Sequence, residues 1–149
     1  FVLQAFTKIY AVPGIRLGYG ISSDKALLER METVRQPWSV STPAQAAGLS
    51  ALKEDHREEQ TRQLVKSERE RMEKELENLR IEYIPSEANF LLFNSEINWF
   101  EELKKRGILI RDCANYRGLG NGWYRMAVRL PEENDRLLEC MKQVLNERS

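Results

Sequence analysis

The sequence predicts an α/β fold with α+β layering, a small sheet of three to four strands covered by helices. Three observations predict it. Short apolar runs alternate with longer amphipathic stretches, turn residues separate them, and 149 residues at 42% hydrophobic content suffice for a core of ordinary size. Lys and Arg total 23 against 23 Asp and Glu, a balance that argues against a nucleic-acid partner, which calls for a basic excess. No apolar run approaches the roughly 18 residues that span a bilayer. Cys113 and Cys140 stand apart with a single His56, so neither a metal site nor a disulfide framework is expected and a reducing cytoplasm is the natural compartment.

In chain order, Phe1 to Phe6 reads as a short buried strand and Arg16 to Ser22 as a second, broken by Pro13-Gly14. Ser22-Ser23-Asp24 supplies cap candidates for a helix carrying Ala26, Leu27, Met31 and Val34, which Pro37 stops. Thr42-Pro43 opens the next helix, with Thr as cap and Pro in the first turn. That helix starts small and apolar and turns highly charged. From Lys53 to Arg80, 17 of 28 residues are charged, eight basic and nine acidic, around a stripe of Leu64, Val65, Met72, Leu76 and Leu79. Interleaved signs on a narrow stripe predict a long helix along a surface, with pairs such as Glu70 and Lys74.

Ile81 to Ile84 and Asn89 to Phe93 read as strands joined across Pro85-Ser86, and Asn98 to Arg106 as a helix closed by Gly107. Ile108 to Ile110 and Trp123 to Val128 are two more strands, with a Gly-rich loop from Asn115 to Gly122 between them. Pro131-Glu132-Glu133 starts a last helix whose apolar face is Leu137, Leu138, Met141, Val144 and Leu145. His56 lies in a solvated charge run, Cys113 reads as an apolar filler and Trp38 as a packing residue between domains.

The stretch from Ala5 to Tyr19 carries the chemistry. Lys8 follows a strand, Thr7 sits beside it, and Arg16 comes eight positions later, after the Pro-Gly break. A lysine among apolar walls loses solvation of its ammonium and becomes nucleophilic, able to condense with a carbonyl cofactor. An arginine holds a phosphate through two parallel hydrogen bonds.

This segment resembles the lysine signature of the fold-type I pyridoxal-phosphate enzymes, the aspartate aminotransferase superfamily. The resemblance implies pyridoxal 5′-phosphate as cofactor, Lys8 as its covalent anchor and catalytic base, Arg16 on its phosphate and Thr7 beside the lysine. The family usually has Ser or Thr three residues before the lysine. Here Ala5 stands there, which removes one phosphate hydrogen bond, about 1 kcal/mol. The run Gln36 to Ala47 resembles the inter-domain segment of the branch that holds histidinol-phosphate aminotransferase and threonine-phosphate decarboxylase. Glu87-Ala88-Asn89-Phe90 resembles the opening of that branch's small-domain sheet, and Ile110 to Leu119 with Tyr124 to Arg129 its C-terminal end. By resemblance, Arg125 binds the substrate carboxylate and Arg111 contributes to the pocket for the anionic substrate, an amino-acid phosphate.

The implied organisation is the end of a large cofactor-binding domain over residues 1–41, then a small C-terminal α/β domain over 42–149. The acid for the pyridine nitrogen, the ring-stacking aromatic and most of the phosphate cradle have no counterpart here. The chain also begins at Phe1, without a Met. An upstream segment is therefore expected, and the 149 residues alone are expected to be inactive. The Pro-Trp-Ser-Val run and the Ile110-Arg111-Asp112-Cys113 wording look closer to the decarboxylase of that branch, a resemblance that implies decarboxylation of threonine phosphate in cobalamin biosynthesis; a cytoplasmic homodimer is expected. The alternatives are histidinol-phosphate transamination and a non-catalytic, self-associating module.

Overall fold

A computed structural model describes residues 1–54 and 56–148. Two compact units are present, Phe1–Thr61 and Arg62–Ser149, and the boundary falls within a helix.

In the first unit, β1 (Val2–Ala5) pairs antiparallel with β2 (Gly18–Ile21), Val2 opposite Ile21 and Ala5 opposite Gly18. Between them lie α1 (Phe6–Ile9) and a 3-10 turn, Pro13–Ile15. The strand expected to be buried is exposed along its whole length, because a two-stranded ribbon has no layer packed on its faces. Of the residues Phe1 to Phe6, only Phe6, which begins α1, is buried.

Asp24 caps α2 (Lys25–Val34), its carboxylate accepting from Leu27 N–H at 3.0 Å. The cap of α3 (Thr42–Ala51) is Ser41, whose hydroxyl accepts from Ala44 N–H at 3.3 Å; the expected cap, Thr42, is the first helical residue. Gly48 is buried because Leu17 packs where a β-carbon would stand. Trp38 is 97% exposed; the role between domains expected of it is not tested within this unit.

The expected long helix is two helices. The end of α3 tightens into i→i+3 turns, Lys53 N–H to Ser50 O and Glu54 N–H to Ala51 O, and α4 (Arg57–Asn78) starts afresh. Its stripe behaves as expected, with Met72 and Leu76 fully buried and Val65 and Leu79 packed beside them. Glu70 pairs with Lys66 at 4.0 Å, one turn before it, in place of the expected Lys74 one turn after.

The second unit is a four-stranded antiparallel sheet in the order β3-β4-β6-β5, formed by β3 (Glu82–Ile84), β4 (Phe90–Asn94), β5 (Arg111–Asp112) and β6 (Trp123–Ala127). Alternation sets two faces. Leu91 and Phe93 of β4 and Tyr124 and Met126 of β6 are buried in one core with residues of α4, α5 (Trp99–Lys105) and α6 (Pro131–Asn146). Phe90, Leu92, Arg125 and Ala127 lie on the other face and are half-buried.

Asn98 caps α5, and Gly107 ends it at φ 74°, a left-handed turn that suits glycine. The strand expected at Ile108–Ile110 begins instead at Arg111. Those three residues alternate as a strand does, but the ladder to β6 starts only where Arg111 meets Arg125. No helix among the described residues is long and apolar enough to cross a membrane.

Candidate active site

Two groups of predicted side chains are brought together, one in each unit. In the first, the β1–β2 ladder closes with Phe6 N–H donating to Leu17 O at 3.1 Å. Thr7 and Lys8 thus leave one strand where Arg16 enters the other. Phe6 anchors this end, stacked on Tyr10 at 4.8 Å between ring centroids and edge-on to Tyr19 at 6.0 Å. Thr7 is half-buried and Lys8 exposed, so the apolar enclosure expected around the lysine is not supplied by the ribbon.

Arg16 sits at φ 59°, ψ 43°, a left-handed conformation that costs an L-residue roughly 1–2 kcal/mol. One of its N–H groups is spent on Pro13 O at 3.1 Å, and no other partner is found among the described residues. The rest of the guanidinium fork remains available to an anion. The backbone thus brings Thr7, Lys8 and Arg16 to one end of the ribbon; an amine is the group type that condenses with an aldehyde, and a guanidinium the type that holds a phosphate.

The second group lies on the half-buried face of the four-stranded sheet. Arg111 of β5 is directly opposite Arg125 of β6 in the ladder. Like charges so placed repel, at roughly 0.2–1 kcal/mol in a sheet. Neither guanidinium has an ion-pair partner among the described residues. Each faces an aromatic ring instead: Arg125 Cζ is 4.3 Å from the centroid of Phe90, and Arg111 Cζ is 5.6 Å from that of Tyr116. Arg111 also donates to Asn115 Oδ1 at 3.3 Å. Among the described residues, then, no acid pairs with either guanidinium, and guanidiniums are the groups that bind carboxylates and phosphates through paired hydrogen bonds.

Cys113 is fully buried between these strands. Burial pushes its thiol up, against the weaker pull of Arg125 and Arg111, and so keeps it protonated at neutral pH.

Phe90, Asn115 and Tyr116 are the contacts that sequence reasoning missed. The signal for Phe90 was its parity on β4, two residues from Leu92 and out of step with Leu91 and Phe93. Asn115 and Tyr116 needed the fold of the loop, which turns back at once: Ala114 N–H donates to Asp112 Oδ1 at 2.9 Å and Tyr116 N–H to Cys113 O at 2.9 Å.

A family model, aminotransferase class I and II, matches residues 1–140. The chain belongs to that family, whose enzymes depend on pyridoxal phosphate. Threonine-phosphate decarboxylase of Salmonella typhimurium is 40% identical over 149 residues, covering 97% of this chain and 41% of that protein. Histidinol-phosphate aminotransferase of Symbiobacterium thermophilum is 38% identical, covering 98% of this chain and 40% of that protein. The solved histidinol-phosphate aminotransferase of Clostridium acetobutylicum shares the fold at a TM-score of 0.91 and 32% identity, covering 97% of this chain and 45% of that one. The chain thus spans about two-fifths of the length of the curated relatives it matches, 41% and 40%.

Proposed function

We propose that these residues form the C-terminal part of a pyridoxal-phosphate enzyme that decarboxylates an amino-acid phosphate, with threonine phosphate the leading substrate. Residues 1–41 would close a larger cofactor-binding domain and residues 42–149 would form the small domain. Lys8 Nζ would hold the cofactor covalently, and Arg16, with Thr7 beside Lys8, would hold its phosphate. The cofactor supplies an electron sink for charge left at the substrate's α carbon. Arg125 takes the carboxylate and Arg111 the phosphate. Held by these two groups, the substrate's α carbon would be oriented for loss of either its carboxylate or its proton, and Lys8 would be the base that takes the proton in the second case. The product would be an amino-alcohol phosphate, a cobalamin side-chain precursor, made by a cytoplasmic homodimer.

The observation that carries this reading is the facing pair Arg111 and Arg125, two guanidiniums without a carboxylate partner among the described residues. A substrate with a carboxylate and a phosphate complements it. The 40% identity to a threonine-phosphate decarboxylase supports the choice of substrate.

The complete protein, loaded with pyridoxal phosphate, tests it. Borohydride reduction is expected to leave a mass adduct on Lys8. Carbon dioxide is expected from O-phospho-L-threonine without any keto acid. Strict dependence on 2-oxoglutarate would replace the lyase reading with histidinol-phosphate transamination, which the relative at 38% identity supports. No adduct on Lys8 would defeat both. The 149 residues alone are expected to turn over neither substrate.

A further inference from the structure

Arg111 is exposed, and a long exposed cation ordinarily samples many rotamers. Here it is held from one side only. Asn115 Oδ1 accepts from its Nη2 at 3.3 Å, and the Tyr116 ring lies 5.6 Å from its Cζ. Both residues belong to a turn that is itself fixed. Cys113 N–H donates to Trp123 O at 2.9 Å, Ala114 N–H to Asp112 Oδ1, and Leu119 N–H to Tyr116 O at 3.2 Å. The partner chosen for the guanidinium is a neutral amide. An aspartate in the same place would offer the same acceptor and cancel the charge.

From this we infer that Asn115 is a specificity-determining positioning residue: it orients Arg111 without neutralising it, and so selects substrates with a second, phosphate anion over the plain amino acid. The inference rests on the proposed roles of Arg111 and Arg125. Asn115 does not itself bond the substrate; its carbonyl restrains the guanidinium, and the Tyr116 ring lies beside the same group. Arg125 is held separately, by Phe90, so carboxylate recognition does not pass through Asn115.

The test compares Asn115→Asp, Asn115→Ala and Arg111→Ala in the complete protein, by calorimetric titration with O-phospho-L-threonine and with L-threonine. Asn115→Asp is expected to weaken the phosphorylated ligand at least tenfold and to leave L-threonine within twofold. Asn115→Ala, which loosens Arg111 but keeps its charge, is expected to fall between wild type and Asn115→Asp. A purely structural role would move both ligands together and would lower the thermal midpoint. Equal loss for the two ligands, or no loss in Asn115→Asp while Arg111→Ala weakens the phosphorylated one, overturns the inference and leaves the proposed function standing. If Arg111→Ala also leaves the phosphorylated ligand unaffected, the proposed anion pair and this inference fall together.

Discussion

Arg111 and Arg125 stand opposite each other in the β5–β6 ladder, two positive charges on one face of the sheet with aromatic rings as neighbours. A fold selected for stability alone would place an acid at one of these positions, since opposite charges there gain what like charges lose. The pairing is what the proposed grip on a doubly anionic substrate would require.

Removing one of the two charges should therefore not weaken the fold. Arg111→Gln is expected to leave stability unchanged or to raise it by up to about 0.5 kcal/mol, while binding of a phosphorylated amino acid falls. Urea titration of the variant checks the first half. A loss of more than about 1 kcal/mol would mean that the Tyr116 contact outweighs the repulsion.

The parity of β4 makes a sharper test, because adjacent leucines face opposite ways. Leu91 is fully buried among the helices, and Leu92 lies on the half-buried face. Leu91→Ala should cost about 2–5 kcal/mol and Leu92→Ala clearly less. Equal costs would contradict the register of the sheet.

A buried polar link ties α4 to the start of α6. Asn134, 1% exposed, donates to Glu68 Oε2 at 2.7 Å and to Arg129 O at 2.9 Å, and accepts from Arg129 N–H at 3.0 Å. Asn134→Ala leaves these groups unsatisfied and should cost about 2–3 kcal/mol in thermal or urea unfolding.

Glu68 in this link gives a pH signature. The hydrogen bond from Arg71 holds its carboxyl below the ordinary value, opposed by burial and helped by Asn134. The folded state thus favours the ionised form. The stabilisation is complete above the ordinary carboxylate range and is lost as pH falls through the lowered folded value. The stability difference between wild type and Glu68→Gln should shrink as pH drops from neutral into that range. A difference that grows on acidification would reverse the sign and refute the assignment.

The two cysteines should differ in reactivity. Cys113 is fully buried with its thiol pushed up by burial, whereas Cys140 is only partly covered. With a thiol reagent at mildly alkaline pH, Cys140 should label first and Cys113 only as the fold opens. Peptide mapping of the early adduct distinguishes them, and rapid labelling of Cys113 would place it at the surface.

Local chemistry accounts for how much of this was legible. Asp24, Asn98 and Pro131 announce helix starts through groups that act within one turn, and all three begin helices where expected. The stripe of Met72 and Leu76 likewise needs only helical period. The break between α3 and α4 was hidden because no Gly or Pro punctuates the run from Leu52 to His56. β5 was displaced because an alternating run looks the same whether or not a neighbour bonds to it. At the candidate site, Lys8, Thr7 and Arg16 were named by the lysine signature, and Arg111 and Arg125 by the C-terminal motifs; their roles stay proposals. Phe90, Asn115 and Tyr116 stayed silent, because contact across strands or around a turn leaves no spacing rule in the chain.

By itself, the sequence determined the family through contiguous motifs, most of the helix starts and the presence of the two cations. Only tertiary structure decided that Arg111 faces Arg125, that each rests on a ring rather than an acid, and that β1 lies open. Those outcomes depend on strand register and layer packing, which bring together residues that local spacing does not relate.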